Sequence, residues 1–257
     1  MDYCDFEHPS IQRTAGLLRG RDEWESAIQI WEFVQSFPYR LGFWDMKASQ
    51  TLELGFGMCT TKSNLQIALL RALGIEAKLG KALVKTDYMS SFILPAYLKR
   101  IKKKKIKHYF TMARLEGQWF RSDASFSREA ISMLAEKYPR QFSHLVGAKF
   151  EKGKHFFVEI EGEMMDTSSE IMREKPFYRH GNIEAMNILL DKRQGLFMPA
   201  PHWIRLTLKL LNDDPDLAIL KAMAGLMGDT EKLRLAIRER NALYKNRHFT
   251  VRSFSSP

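Results

Sequence analysis

The sequence predicts a mixed fold of helices and antiparallel strands, α+β in class, and three observations carry that prediction. Apolar residues recur at helical spacing between residues 22 and 73. The pattern changes to alternation over residues 107 to 123, broken by Glu116-Gly117, and from about residue 168 onward it is mostly helical. At 257 residues the chain can bury a full core, which fits one large domain or one domain with an extension. Hydrophobic residues at 45% and charged residues at 27% exclude a disordered chain.

The elements follow in order. Residues 22 to 36, "DEWESAIQIWEFVQS", put Trp24, Ala27, Ile28, Trp31 and Val34 or Phe33 on one stripe, with Asp22 as the cap and Pro38 as the stop. Ser49 in "KASQTLEL" is a second acceptable cap, opening a short helix that Gly55 and Gly57 end. The next helix starts at about Cys59, carries Leu65, Ala68, Leu69, Ala72 and Leu73 inward, and closes at Gly74 before a strand. Alternation around an X-Gly pair is a β-hairpin signature, and "KHYFTMARLEGQWFRSDASF" has it. Residues 128 to 139 read as helix, and 148 to 161 as two short strands around Gly153. Helical patterns over 183–192, 201–211, 215–227 and 229–244 follow, and "NRHFTVRSFSSP" is expected to fray. The expected organisation is a core over 1–165, a helical extension over 166–246 packed on that core, and a frayed tail over 247–257.

No run of about 18 uninterrupted apolar residues occurs, and "MDYCDFEHPS" has neither a basic nor an apolar leader segment. The expectation is a soluble, unexported, cytoplasmic protein with no membrane partner. Two cysteines, Cys4 and Cys59, make no disulfide framework and have no metal-ligand spacing, so Cys59 is expected to be a free thiol in a reducing compartment. The net charge of +10 favours acidic partners. Much of the excess lies in "YLKRIKKKKIKHYF", where every residue from Lys99 to Lys107 is basic except Ile101 and Ile106. Such a run is either a solvated loop or a docking site. Without aromatic interleaving or a recognisable module it does not read as nucleic-acid binding.

A cysteine at the first turn of a helix sits near unpaired backbone N–H groups and the positive end of the macrodipole, the address of an activated nucleophile. A small buried residue would occupy the same place without doing chemistry. The hairpin decides between them. If Glu116 and Gly117 are the turn, Leu115 pairs with Gln118, and continuing the register brings Phe110 opposite Asp123. His108, Phe110 and Asp123 then share one face, with His108 and Asp123 diagonal neighbours at about 7–8 Å. Slipping the register by one residue would separate them. Cys59, His108 and Asp123 thus form a candidate nucleophile, general base and orienting carboxylate, with the Cys59 N–H as oxyanion donor.

"ASQTLELGFGMCTTKSNLQIALLRALGIEAKLG" and "HYFTMARLEGQWFRSDASF" resemble the transglutaminase-like superfamily, whose core carries a Gly-x-Cys turn entering a helix and, downstream, a histidine and an aspartate in this spacing. The resemblance spans roughly residues 24 to 126, with Gly74, Gly117, Trp119 and Phe126 as scaffolding. It implies a papain-like α+β core with Cys59 as nucleophile, His108 as base and Asp123 as orienter. Thr60 stands where animal members often have an aromatic residue, Thr61-Lys62 is more like bacterial members, and the basic insertion from Thr86 to Lys107 is long. No calcium-loop carboxylate cluster is evident, so neither metal nor cofactor is expected. Trp44 or Tyr39 could add an oxyanion donor, though either suits the core.

The chemistry implied is attack of Cys59 on a carbonyl and release of the acyl group to an amine or to water. The leading expectation is an amide-forming acyltransferase, similar to the bacterial members that join a small-molecule amine to an acyl group held as a carrier-protein thioester in natural-product assembly. Acyl or peptidyl carriers are acidic, and Lys102, Lys103, Lys104 and Lys105, just before His108, are the candidate docking residues. The alternatives are a cysteine peptidase or amidase using water, and a non-catalytic binding module on the same fold.

Overall fold

The computed structural model describes residues 3–41, 46–92, 104–158, 164–166 and the single positions 187, 190, 191 and 194. The fold is α+β. Helices α1 (Pro9–Leu17), α2 (Glu23–Gln35), α3 (Ala48–Leu54) and α4 (Cys59–Ala72) come first. Strand β1 (Ala77–Lys85), a 3-10 turn over Thr86–Ser91, strands β2 (Lys105–Leu115) and β3 (Gln118–Arg121), helices α5 (Arg128–Lys137) and α6 (Pro139–Phe142) and strand β4 (Met164–Asp166) follow. The four strands form one antiparallel sheet in the order β3-β2-β1-β4. Helix α4 packs on β2 and β1 and is wrapped by α1, α2 and α3.

Local chemistry explains most boundaries. The Asp22 carboxylate accepts the Glu25 N–H at 2.7 Å and caps α2, which buries Trp24, Ala27, Ile30, Trp31 and Val34. Ile28, expected on that stripe, is only half-buried, and Ile30 takes its place. Helix α3 ends at Gly55 with φ 66°, a left-handed conformation that glycine adopts without a Cβ clash. Its cap is not Ser49. Lys47 stands at that position, and the Ser49 N–H and hydroxyl instead bond the Asp5 carboxylate at 3.0 and 2.6 Å. A contact 44 residues away in sequence has overridden a local capping preference.

The β2–β3 turn has Glu116 at φ 48° and Gly117 at φ 80°, the twist a two-residue hairpin needs, and it pairs Leu115 with Gln118 through to Met112 with Arg121. The ladder then stops. The expected Phe110–Asp123 pair does not form, because the Asp123 N–H bonds the Phe156 carbonyl at 3.0 Å. Residues 148–158 are not the expected pair of strands. They make a turn with Gly153 at φ 75° and a single parallel bridge between Ser122 and Phe156. Phe150 and Phe156 are buried against Trp24 and Trp31, with ring centroids of 4.6 Å for Trp31–Phe156 and 5.7 Å for Trp24–Phe150. Aromatic packing, not a ladder, holds this segment.

Helix α4 is buried nearly all round, including Thr60, Thr61, Lys62, Ser63, Asn64 and Gln66, while Ala72 and Leu73, expected inward, are half-buried at its end. The chain divides into two compact units, Met1–Phe177 with Arg193–Gly195, and Tyr178–Lys192 with Leu196–Pro257. In the second unit only Asn187, Leu190 and Asp191 are described, all helical and within the helix expected over 183–192, and the helices expected over 201–244 and the tail lie outside the described residues. Among the described residues no helix is long and apolar enough to cross a membrane.

Candidate active site

Cys59 is the first residue of α4. Glycine makes that placement possible: the Gly57 N–H bonds the Pro38 carbonyl at 3.2 Å, its carbonyl accepts the Arg40 N–H at 2.9 Å, and a Cβ on it would sit 2.5 Å from the Thr61 hydroxyl. The Met58 side chain offers no cap, and the Thr61 hydroxyl bonds back to the Met58 N–H at 3.1 Å. Helix geometry leaves the first amides of α4 without intrahelical acceptors, at the end of the helix that carries Cys59.

His108 lies mid-β2, opposite Ala82 of β1. Its Nε2 meets the Asp123 Oδ2 at 2.8 Å, and Cys59 lies near enough to favour the protonated ring. With Nε2 taken by the carboxylate, Nδ1 is the nitrogen left to face sulfur. The remaining Asp123 oxygen, Oδ1, accepts the Ser125 N–H at 3.0 Å and the Ser125 hydroxyl, which fixes the carboxylate's orientation. Cys59, His108 and Asp123 are 9%, 3% and 1% exposed. The structure therefore brings the three sequence-predicted residues together in a shielded row.

Burial alone would pull the imidazole down from 6.5, but the Asp123 charge and hydrogen bonds to Asp123 and Cys59 outweigh it and push His108 up to about 10. Burial likewise works against the Asp123 anion, yet the His108 charge, its hydrogen bond and those from Ser125 hold the carboxyl below its ordinary value. The pair is an imidazolium–carboxylate over the neutral pH range. Burial also pushes the Tyr109 phenol up to about 12, with the Cys59 charge adding to the effect.

A column of rings backs the imidazole. Phe126 stacks on His108 at 5.2 Å and 22°, and Tyr39 stacks on Phe126 at 5.1 Å and 14°. The Tyr39 N–H and carbonyl both bond the Gln194 side-chain amide at 2.9 Å, and Ser127 donates to the same amide oxygen. Tyr39 thus sits in the core as a ring support, and Trp44 lies outside the described residues. Gln194 and Ser125 escaped the sequence reading. Ser125 follows Asp123 at the spacing of an Asx turn and was detectable, whereas Gln194 is 155 residues from Tyr39 and left no local signal.

Of the lysines expected to dock a partner, Lys104 and Lys105 are exposed at the start of β2, and Lys102 and Lys103 lie outside the described residues. Among the described residues no group of three His, Cys, Asp or Glu is placed to hold a metal.

This row of cysteine, imidazole and carboxylate lies in a chain whose residues 12–124 match the model of the transglutaminase-like superfamily. The match covers 113 of the 257 residues and takes in Cys59, His108 and Asp123, so this part of the chain is similar to the transglutaminase-like superfamily. Among solved structures, a candidate cysteine protease from Cytophaga hutchinsonii is similar at 22% identity and a TM-score of 0.37, over 49% of this chain. This chain spans 39% of the length of that one. No curated protein matches the chain.

Proposed function

We propose that the protein is a cysteine-dependent acyltransferase that joins an acyl group, delivered as a carrier-protein thioester, to a small-molecule amine through a Cys59 acyl-enzyme. The observation that supports it is the buried Cys59–His108–Asp123 row, with the imidazole held charged by Asp123. The Cys59 thiolate, paired with imidazolium, attacks the thioester carbonyl. The new S–C bond forms as the oxyanion develops beside the Cys59 N–H. Collapse breaks the carrier's C–S bond, and His108 gives its proton to the departing thiolate. The amine then attacks the acyl-enzyme, neutral His108 takes the N–H proton, and collapse releases the amide and regenerates the Cys59 thiolate. Asp123 holds the ring in the tautomer both steps require.

Carrier docking is supported by charge placement. In the β1–β2 ladder Lys85 faces Lys105 and Leu83 faces Lys107, so Lys81, Lys85, Lys105 and Lys107 share one face with Tyr109. An acidic carrier on that face would bring its thioester arm along β2 toward the cysteine.

Intact-mass analysis after mixing with an acyl-loaded carrier tests the reading. The acyl mass should appear on Cys59, vanish when amine is added, and be absent from Cys59→Ala. Cleavage of simple peptides without any carrier-dependent adduct would establish the peptidase alternative instead. Inertness of Cys59 toward iodoacetamide at neutral pH would leave only a binding module.

A further inference from the structure

Lys62 is a buried cation that this chemistry does not use. It sits one turn into α4, three residues after Cys59, with a fully buried side chain. Its Nζ donates to the Phe37 carbonyl at 2.8 Å, a neutral acceptor. Keeping an ammonium out of water for one carbonyl is costly, and an apolar residue of the same volume would pack there without that cost. The cost is visible: burial pulls Lys62 down to about 7 despite the opposing charges of Asp123 and Glu129.

What the contact joins is informative. Phe37 begins the segment that runs through Pro38 and Tyr39, and that segment bonds Gly57, two residues before Cys59. Tyr39 supports Phe126, and Phe126 supports the His108 ring. One end of the Lys62 arm is thus fixed to the nucleophile's helix, and the other holds the base of the ring column behind the imidazole. We propose that Lys62 is a positioning residue that sets the spacing between Cys59 and His108 by clamping the Phe37–Tyr39 segment to the first turn of α4. The inference rests on the proposed roles of Cys59 and His108.

The test is the pH profile of iodoacetamide alkylation at Cys59, followed by peptide mass so that Cys4 is not counted, on protein shown to be folded. Lys62→Met keeps the stem and removes the donor. It should keep or raise the melting temperature at pH 7, yet alkylate about tenfold more slowly with an altered pH profile, a loss on the scale that displacing reacting groups by a fraction of an ångström produces. Lys62→Arg, which restores a cationic donor, should return the rate to within about threefold of the parent. If K62M does not fold, Lys62→Gln, with an N–H donor on a shorter arm, should show an intermediate loss. Wild-type rate and profile in K62M, or in K62Q where K62M does not fold, would overturn the proposal. A rate that falls only with the folded fraction would overturn it equally. Slow, unactivated alkylation of the parent protein is a different result, which removes the proposed catalytic role of Cys59 before Lys62 is compared.

Discussion

Asp123→Asn is the sharpest perturbation of the proposed array. Asparagine keeps the shape and one carbonyl acceptor but removes the charge from a fully buried pair. The rise of His108 from 6.5 to about 10 corresponds to roughly 5 kcal/mol of preference for imidazolium over the neutral ring. Asp123 supplies the largest favourable part of that preference. Without it, burial is opposed only by the hydrogen bond and charge of Cys59, and the preference for imidazolium falls. A neutral imidazole holds no thiolate ion pair, so the sulfur loses its charged partner. Iodoacetamide alkylation of Cys59 at pH 7 should therefore slow at least about tenfold in D123N, which is what losing about 1.4 kcal/mol of that preference produces. The rate is read by mass spectrometry across pH 5 to 10 on variants whose circular dichroism matches the parent. A folded D123N with the parent's rate and profile would refute the argument that Asp123 charges the imidazole.

Three further outcomes are expected. A Cβ on Gly80 would run into the Phe110 ring, so Gly80→Ala should lose about 1–3 kcal/mol, read as a lower urea midpoint at unchanged slope; an unchanged midpoint would contradict the β1–β2 register. Lys104→Glu with Lys105→Glu should raise KM for a carrier-bound substrate and flatten its salt dependence while kcat changes little, and an unaltered KM would remove carrier docking from this end of β2. Stability against pH should show two opposed slopes. His108, raised to about 10, adds stability that is complete below 6.5 and lost as pH climbs to about 10; Lys62, lowered to about 7, costs stability below about 7 and relieves that cost as pH climbs to 10.5. Urea unfolding should therefore vary little between pH 7 and 10 in the parent and decline over that range in K62M; parallel curves would refute the opposition.

The sequence was most legible where one residue decides the backbone. Asp22 capped α2, Gly55 ended α3, and Glu116-Gly117 gave the hairpin register that puts His108 near Asp123. It was least legible where distant contacts compete with local preference. Ser49 lost its capping role to a bond with Asp5, and Phe150 and Phe156 left an alternating pattern to fill the space beside Trp24 and Trp31. The expected Phe110–Asp123 pair failed for the same reason, since Phe156 captured the Asp123 amide; the carboxylate still reached His108 because the side chain, not the ladder, spans the gap.

Helix α4 shows burial that apolar spacing alone does not announce. The stretch "CTTKSNLQ" is polar apart from Cys59 and Leu65, and all of it is buried. Three of its polar side chains, Lys62, Ser63 and Gln66, reach elements that carry or flank the site. Ser63 donates to the Tyr109 carbonyl at 3.3 Å, Thr111 donates to the Ser63 carbonyl at 3.4 Å, and Gln66 donates to the Ser122 hydroxyl at 2.8 Å, with Lys62 reaching Phe37. Tyr109 adjoins His108 in sequence, and Ser122 adjoins Asp123. Apolar packing is non-directional and tolerates a helix sliding along a sheet by fractions of an ångström. Hydrogen bonds of fixed length do not, and a working nucleophile and base must hold their geometry to within about 0.5 Å. A helix built from leucine and alanine alone would bury as well and fold more readily, but it would leave the distance from Cys59 to His108 unspecified. The polar composition of α4 is thus best understood as the device that fixes the register of one helix on one strand, and through it the position of a sulfur against an imidazole.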